Sequence, residues 1–270
     1  MVGPLQNFDR LCIHTMTTKP LSLADTISAY ESAGVPHITV WRQHLEPDAP
    51  KRLADSSLNV VSLCRGGFFP APTAELRQTA IDENLSTIEE AQSINAPLLV
   101  LVCGAVPGMP LDTARDQIRE GIEAILPAAA SAGVRLAVEP LHPLYAGDRS
   151  ALNTLRQAND LVRAIRHPDL GIALDVYHVW WDDTLPEEII RAGDRIFAFH
   201  VCDWRTPTRD LLNDRTLMGE GCINIRQIRD WLESNGYNAP IEVEIFSEEF
   251  WKQDQLQYIE RIKQAYLDHV

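Results

Sequence analysis

The chain is short of positive charge. Its 270 residues carry 24 Lys and Arg against 38 Asp and Glu, a formal net charge of −14. A surface this acidic opposes tight binding to a phosphate backbone, which needs a basic footprint. Nucleic acid is therefore not an expected partner. The five cysteines, Cys12, Cys64, Cys103, Cys202 and Cys222, lack CxxC spacing. Scattered and odd in number, they argue against a structural-zinc or disulfide framework. No apolar run approaches the roughly 20 residues that a bilayer-spanning helix requires, so no membrane partner is expected. The start, "MVGPLQNFDRLCIHT", lacks a basic stretch leading into an apolar one. The expected location is cytoplasmic. No GxGxxG follows the first apolar run, which removes the main sign of a dinucleotide-binding open sheet.

What is present is alternation. Eight short runs rich in Val, Ile, Leu and Phe read as buried parallel strands. They are "LCIHT", "HITVW", "NVVSLC", "PLLVLVC", "VRLAVEP", "LGIALDVY", "RIFAFHVC" and "PIEVEIF". Longer amphipathic stretches separate them. One begins at Ser22 as N-cap and stops at Gly34; another, "SALNTLRQANDLVRAI", has Ser150 as its expected N-cap. The pattern predicts a single α/β domain over residues 1–270, a (β/α)8 TIM barrel. The longest irregular stretch is "VCDWRTPTRDLLNDRTLMGEGC", after the seventh strand.

In such barrels the chemistry sits at the C-terminal ends of the strands. Strands five to eight end on Glu139, Asp175, His200 and Glu244. A lone acid at a strand end is commonly a helix cap or a surface ion-pair partner. Four polar closures in succession, three of them carboxylates, need a positive charge among them, and a divalent cation supplies it. Oxygen ligands with one imidazole suit Mn²⁺ or Mg²⁺, with Co²⁺ or Zn²⁺ as alternatives; Mn²⁺ is the expected ion. Glu242 and Glu244 share parity, with Glu242 deeper in the barrel. Arg135 has the inward parity of Glu139, so an internal Arg135–Glu242 ion pair is expected.

The ordered motifs "VEPLHP", "LDVYH", "FHVCDW", "GEG", "IRDWLESNGY" and "IEVEIF" resemble the xylose-isomerase-like superfamily of sugar isomerases and epimerases. That group includes ketose 3-epimerases, hydroxypyruvate isomerase, inosose dehydratase and endonuclease IV. The resemblance covers nearly the whole chain. It implies Glu139, Asp175, His200 and Glu244 as metal ligands and His178 as a contact to substrate oxygen. By resemblance to the 3-epimerases, Glu139 and Glu244 would also be the catalytic pair. One would take a proton from the carbon beside a carbonyl, and the other would return it. The bound cation would stabilise the enediolate between those steps.

Supporting roles follow the same resemblance. Arg205 lies near the family's substrate-binding arginine, but one residue short of its spacing. The family's glutamate six residues after the strand-five ligand is Tyr145 here, and His142 is the nearest polar candidate. This departure weakens the case for ketose 3-epimerisation in particular. His14 is a candidate polar wall group or a satisfied strand-end histidine. Asp203 is a candidate for orienting His200, binding substrate or capping the loop that follows. Trp41, with Phe68, Phe69, Trp180, Trp181 and Trp204, suits a sugar face or ordinary packing.

Few lysines and no Gly-rich anion loop point to an unphosphorylated keto-sugar or polyol. The expected activity is a metal-dependent isomerase or epimerase on a small sugar. A dehydratase on the same scaffold is the near rival. An endonuclease IV-like repair enzyme and a non-catalytic sugar-binding barrel are remote ones. A homodimer or tetramer is expected from the lookalikes.

Overall fold

The eight apolar runs become eight parallel strands of one closed barrel, in a computed structural model that describes residues 2–270. The first four are β1 (Leu11–His14), β2 (His37–Trp41), β3 (Asn59–Gly67) and β4 (Leu98–Val102). Then come β5 (Arg135–Glu139), β6 (Leu170–Asp175) and β7 (Ile196–Val201). After β7 the chain makes a small antiparallel ladder of β8 (Asp203–Trp204) with β9 (Arg215–Thr216). The last barrel strand, β10 (Ile241–Val243), closes the ring between β7 and β1.

Helices follow the strands as the periodicity predicts. The two longest, Ala74–Ser93 and Leu111–Ala132, flank β4 in sequence. Ser22 accepts a hydrogen bond from the Asp25 amide and starts the first helix. The helix after β5 corrects the expectation. It spans Leu155–Ile165, and Thr154, not Ser150, caps it by accepting from the Gln157 amide. Ser150 instead pairs with Gly104 at the end of β4, and its Oγ bonds within its own turn. Two helices, Ala49–Asp55 and Leu185–Ala192, are too short to announce themselves by an apolar stripe. No helix among the described residues is long and apolar enough to cross a membrane.

Two apolar layers result. The larger lies between strands and helices; the smaller fills the barrel lumen with Cys64, Leu98, Val100, Ala137, Ala173 and Ala198. Near the bottom of the lumen Phe197 packs over Gly171, where an added Cβ would come within 2.4 Å of the ring. The expected Arg135–Glu242 ion pair does not form. Arg135 is exposed, with its guanidinium 4.3 Å from the Phe197 ring centroid. Glu242 is fully buried, and its Oε2 is met by His14, Thr39 and Ser62 instead. Inward parity was the right reading for Arg135, but a long cation at the first strand position stays in water at the open end.

Candidate metal and substrate site

The register of neighbouring strands builds the site. Asp175 sits opposite His200 across β6 and β7, and His200 sits opposite Glu242 across β7 and β10. Glu139 ends β5 beside Val102 of β4. Glu244 lies just past β10, where its amide donates to the Val201 carbonyl. Parallel strands therefore deliver four side chains to one point at the C-terminal rim. Glu139, Asp175, His200 and Glu244 each offer a ligand atom, all within 4.8 Å of one another, and all four residues are buried.

Positive charge already enters this cluster, from a residue that motif reading passed over. Arg215, on β9, is buried and places Nη1 2.8 Å from Asp175 Oδ2 and 2.9 Å from Glu244 Oε2. Its Nη2 lies 3.4 Å from His178 Nε2. Tyr177 stacks beneath the guanidinium, 4.3 Å from ring centroid to carbon. The signal for Arg215 was the length of its loop, which is too long to be a plain connector. The sequence placed Arg205 here instead. In the structure Arg205 turns to Asp214 (3.1 Å) and Glu249 (3.5 Å), as part of the loop's own scaffold.

Below the rim, Glu242 organises two histidines. Its Oε2 accepts from Thr39 Oγ1 (2.6 Å) and Ser62 Oγ (3.1 Å), and lies 3.2 Å from His14 Nε2. It is also 3.7 Å from His200 Nε2. His200 Nδ1 faces the rim, 3.3 Å from Glu139 Oε1. His14 Nδ1 faces Glu244 Oε1 at 3.2 Å, with the Trp41 indole nitrogen also 3.2 Å away. His14 is thus a member of the buried network and Trp41 a wall that holds it.

These contacts set the charges. Burial pushes His200 down, but Glu242, Glu139 and Glu244 outweigh it and lift it to about 10. His14 is raised in the same way, against burial, by Glu244 and Glu242. Burial lifts Asp175 to about 7 against the pull of Arg215. Glu244 goes the other way: Arg215 and His14 overcome burial and hold it well below the usual carboxylate range. Burial and the neighbouring Arg215 hold His178 well below its usual value, so it is neutral.

The other sequence candidates surround rather than enter the cluster. His178 lines the cavity above it, 3.6 Å from Asp175 Oδ2. His142 accepts the Leu144 amide at 3.2 Å and packs between Trp204 and Trp181, off the cavity wall. Asp203 caps the loop after β7. It accepts the amides of Trp204, Gly219, Gly221 and Ile223 at 2.8 to 3.0 Å. Gly221 must be glycine here, because a Cβ would lie 2.4 Å from Asp203 Oδ1. The cavity has a volume of about 210 Å³, with Glu139 and Glu244 in its wall. Tyr145, which stands at the family's glutamate position, adds apolar wall, as do Phe246 and Met16, which the motifs do not mark.

A divalent cation fits the four rim residues. Glu139 Oε1 and His200 Nδ1 are buried and approach each other at 3.3 Å, but neither has a partner in hydrogen-bonding geometry among the described residues. Leaving buried polar atoms unpaired is costly. Three carboxylates and one imidazole are a donor set suited to Mn²⁺, Mg²⁺, Co²⁺ or Zn²⁺.

Fold and rim together define a β/α-barrel protein with a carboxylate-rich site at its C-terminal mouth. The chain belongs to the xylose isomerase-like TIM barrel family, whose model matches residues 27–264. It is 28% identical over 197 residues to an inosose isomerase of Halalkalibacterium halodurans, covering 68% of this chain and 64% of that protein. It is 28% identical over 248 residues to a 3-dehydroshikimate dehydratase of Pseudomonas aeruginosa, covering 85% of this chain and 37% of that one. In structure it superposes on protein SMc04130 of Sinorhizobium meliloti with a TM-score of 0.93. The two are 41% identical over 96% of this chain and 98% of the other. It also shares its fold with the IOLI protein, solved with a bound zinc atom (TM-score 0.84, 20% identity, 96% and 97% coverage). Isomerases and epimerases recur among these relatives.

Proposed function

We propose that the protein is a divalent-metal-dependent isomerase or epimerase of a keto-sugar or polyol-derived ketone. The observation that supports this most is the buried quartet Glu139, Asp175, His200 and Glu244, whose ligand atoms converge within 4.8 Å at the floor of a cavity. These four residues would hold the ion, with Mn²⁺ favoured by the oxygen-rich set. When bound, it supplies Lewis-acid stabilisation to oxygens that gain negative charge.

The chain's own groups perform the proton chemistry. Glu139 and Glu244 come from strand ends on either side of Asp175 and His200 and both face the cavity. One carboxylate takes the proton beside the carbonyl, and the other returns it to the opposite face. Glu244 is kept ionised by Arg215 and His14, the state that can accept a proton. Neutral His178 is placed to hold a substrate hydroxyl, and Trp41, Tyr145 and Phe246 limit water in the pocket. A dehydratase shares the first proton abstraction and then expels a β-hydroxyl; the likeness to a 3-dehydroshikimate dehydratase favours this second reading.

The test is solvent exchange. Protein stripped with chelator and reloaded with Mn²⁺ is incubated in D₂O with inososes, ketoses and 3-keto-glycosides, and deuterium uptake is followed by NMR. Uptake beside the carbonyl is expected. Glu139→Gln and Glu244→Gln are each expected to lower it by roughly 10²- to 10⁴-fold. Near-normal exchange in both variants would exclude the pair. A product absorbing as an enone would select the dehydratase.

A further inference from the structure

Among the described residues, two arginines on the cavity wall have no anionic partner. Most others in this acidic chain do. Arg42 pairs with Glu83 and Glu90, Arg209 with Asp214 and Glu249, and Arg215 with Asp175 and Glu244. Arg65 and Arg149 line the same cavity as Glu139 and Glu244, and among the described residues neither makes an ion pair or a side-chain hydrogen bond. Each is half-buried against an aromatic ring instead. The Arg65 guanidinium lies 4.2 Å from the Phe68 centroid and that of Arg149 5.7 Å from the Tyr145 centroid. Stacking of this kind fixes the guanidinium plane and leaves its N–H donors free for a bidentate acceptor.

The backbone holds the two side chains to either side of the end of β4. Arg65 is on β3, and the Phe68 amide just beyond donates to the Val102 carbonyl at 2.8 Å. On the other side Ser150, next to Arg149, bridges to Gly104, and the Ala151 amide donates to the Gly104 carbonyl at 2.9 Å. On the β3 side Gly104 lets the chain after Arg65 come close, since a Cβ there would lie 2.8 Å from Phe68 Cα. Burial, and then the like charge of Arg149, depress the basicity of Arg65. Two cations sharing a half-buried wall repel each other, and an anion between them removes that cost.

We infer that Arg65 and Arg149 form an oxyanion subsite, so that the substrate carries a carboxylate or phosphate at the end remote from the reacting ketone. This rests on the enolising activity proposed above and narrows its substrate class. The subsite would anchor the anion while the quartet and Arg215 receive the carbonyl end. Anchoring a remote group in this way lets binding energy orient the reacting carbon.

The experiment uses the Mn²⁺-loaded protein and its Arg65→Gln and Arg149→Gln variants, each first checked for an unchanged melting profile. Three substrate arms are run in D₂O: a neutral inosose, a carboxylated cyclic ketone and a ketose phosphate. Calorimetric titrations with acetate and with inorganic phosphate provide a readout independent of turnover. Wild type is expected to favour one anionic arm over the neutral one. Either substitution should raise KM for that arm roughly 10- to 100-fold, with a smaller change in kcat. Arg65→Lys, which keeps the charge but not the fork, should recover part of the loss. The arm that responds distinguishes carboxylate from phosphate. The subsite is overturned if the neutral inosose is the best of the three arms and its KM is the same in the variants. It is also overturned if the variants bind acetate and phosphate as wild type does. If no arm exchanges but an anion binds in an Arg65-dependent way, the subsite stands and the enolisation reading falls.

Discussion

Replacing Glu242 by Gln tests whether a residue outside the proposed ligand quartet sets the quartet's competence. Glu242 Oε2 collects Thr39 Oγ1, Ser62 Oγ and His14 Nε2 within 3.2 Å, with His200 Nε2 at 3.7 Å. A glutamine can put its carbonyl oxygen in that place, so the shape survives. What disappears is the charge. A hydrogen bond to an ionised group contributes about 1.5–3 kcal/mol, against about 0.5–1.5 for a neutral one. Over two or three such bonds the loss is about 2–4.5 kcal/mol. The new amide N–H₂ also falls where Glu242 Oε1 has no partner among the described residues, adding about 1–3 kcal/mol. Release from burying a carboxylate offsets part of this, leaving a net cost of about 2–4 kcal/mol for the metal-free protein. The second effect is on His200, whose Nε2 loses a negative charge 3.7 Å away that favours Nδ1 facing the site. Removing an outer partner of a ligating histidine typically lowers metal affinity about 10- to 100-fold. Urea unfolding of the stripped protein reads the first number, and competitive Mn²⁺ titration against a chelating dye reads the second. A stability loss with metal affinity within about threefold of wild type would refute the orienting role, because packing alone would then explain Glu242.

The pH dependence has a defined sign. His14 and His200 are both raised above their usual value, His200 to about 10. Their stabilisation of the metal-free fold is full below the unfolded histidine pKa of about 6.5 and lost as pH rises through the folded one. Metal-free protein should lose a few kcal/mol, roughly, between about pH 6.5 and 10, and Mn²⁺ affinity should climb over the same range as His200 gives up its proton. Flat urea midpoints across that window would contradict the assignment. Arg215→Met should destabilise the metal-free protein by about 3–5 kcal/mol, since it strands two buried carboxylates. Saturating Mn²⁺ should restore more stability to this variant than it adds to wild type in parallel urea melts. An equal gain in both would mean that cation and guanidinium do not answer to the same carboxylates.

Much of this protein is determined by local pattern. Buried parallel strands must be apolar, so eight such runs separated by amphipathic stretches specify a closed barrel, and even their order around the ring follows from chain order. Glu139, Asp175, His200 and Glu244 were legible because each closes its own strand, and neighbouring strands end at one rim. The capping of the helix after β5 was misread because Ser150 and Thr154 carry the same kind of capping oxygen. Only the bridge from Ser150 to Gly104 removes Ser150 from that role. Parity likewise put Arg135 inside, but not at which depth it would meet solvent.

Tertiary structure decided everything that depends on a loop's path. Arg205 and Arg215 lie in one irregular segment, and no periodicity says which of them turns inward. The β8–β9 ladder and the four amides gathered by Asp203 settle it in favour of Arg215. The same holds for Arg65 and Arg149, which are 84 positions apart in sequence by their numbers and share a wall only because both flank the end of β4. Sequence sets the period and the charge of each element. Which charges face one another, and which are left without a partner, is fixed when the barrel closes.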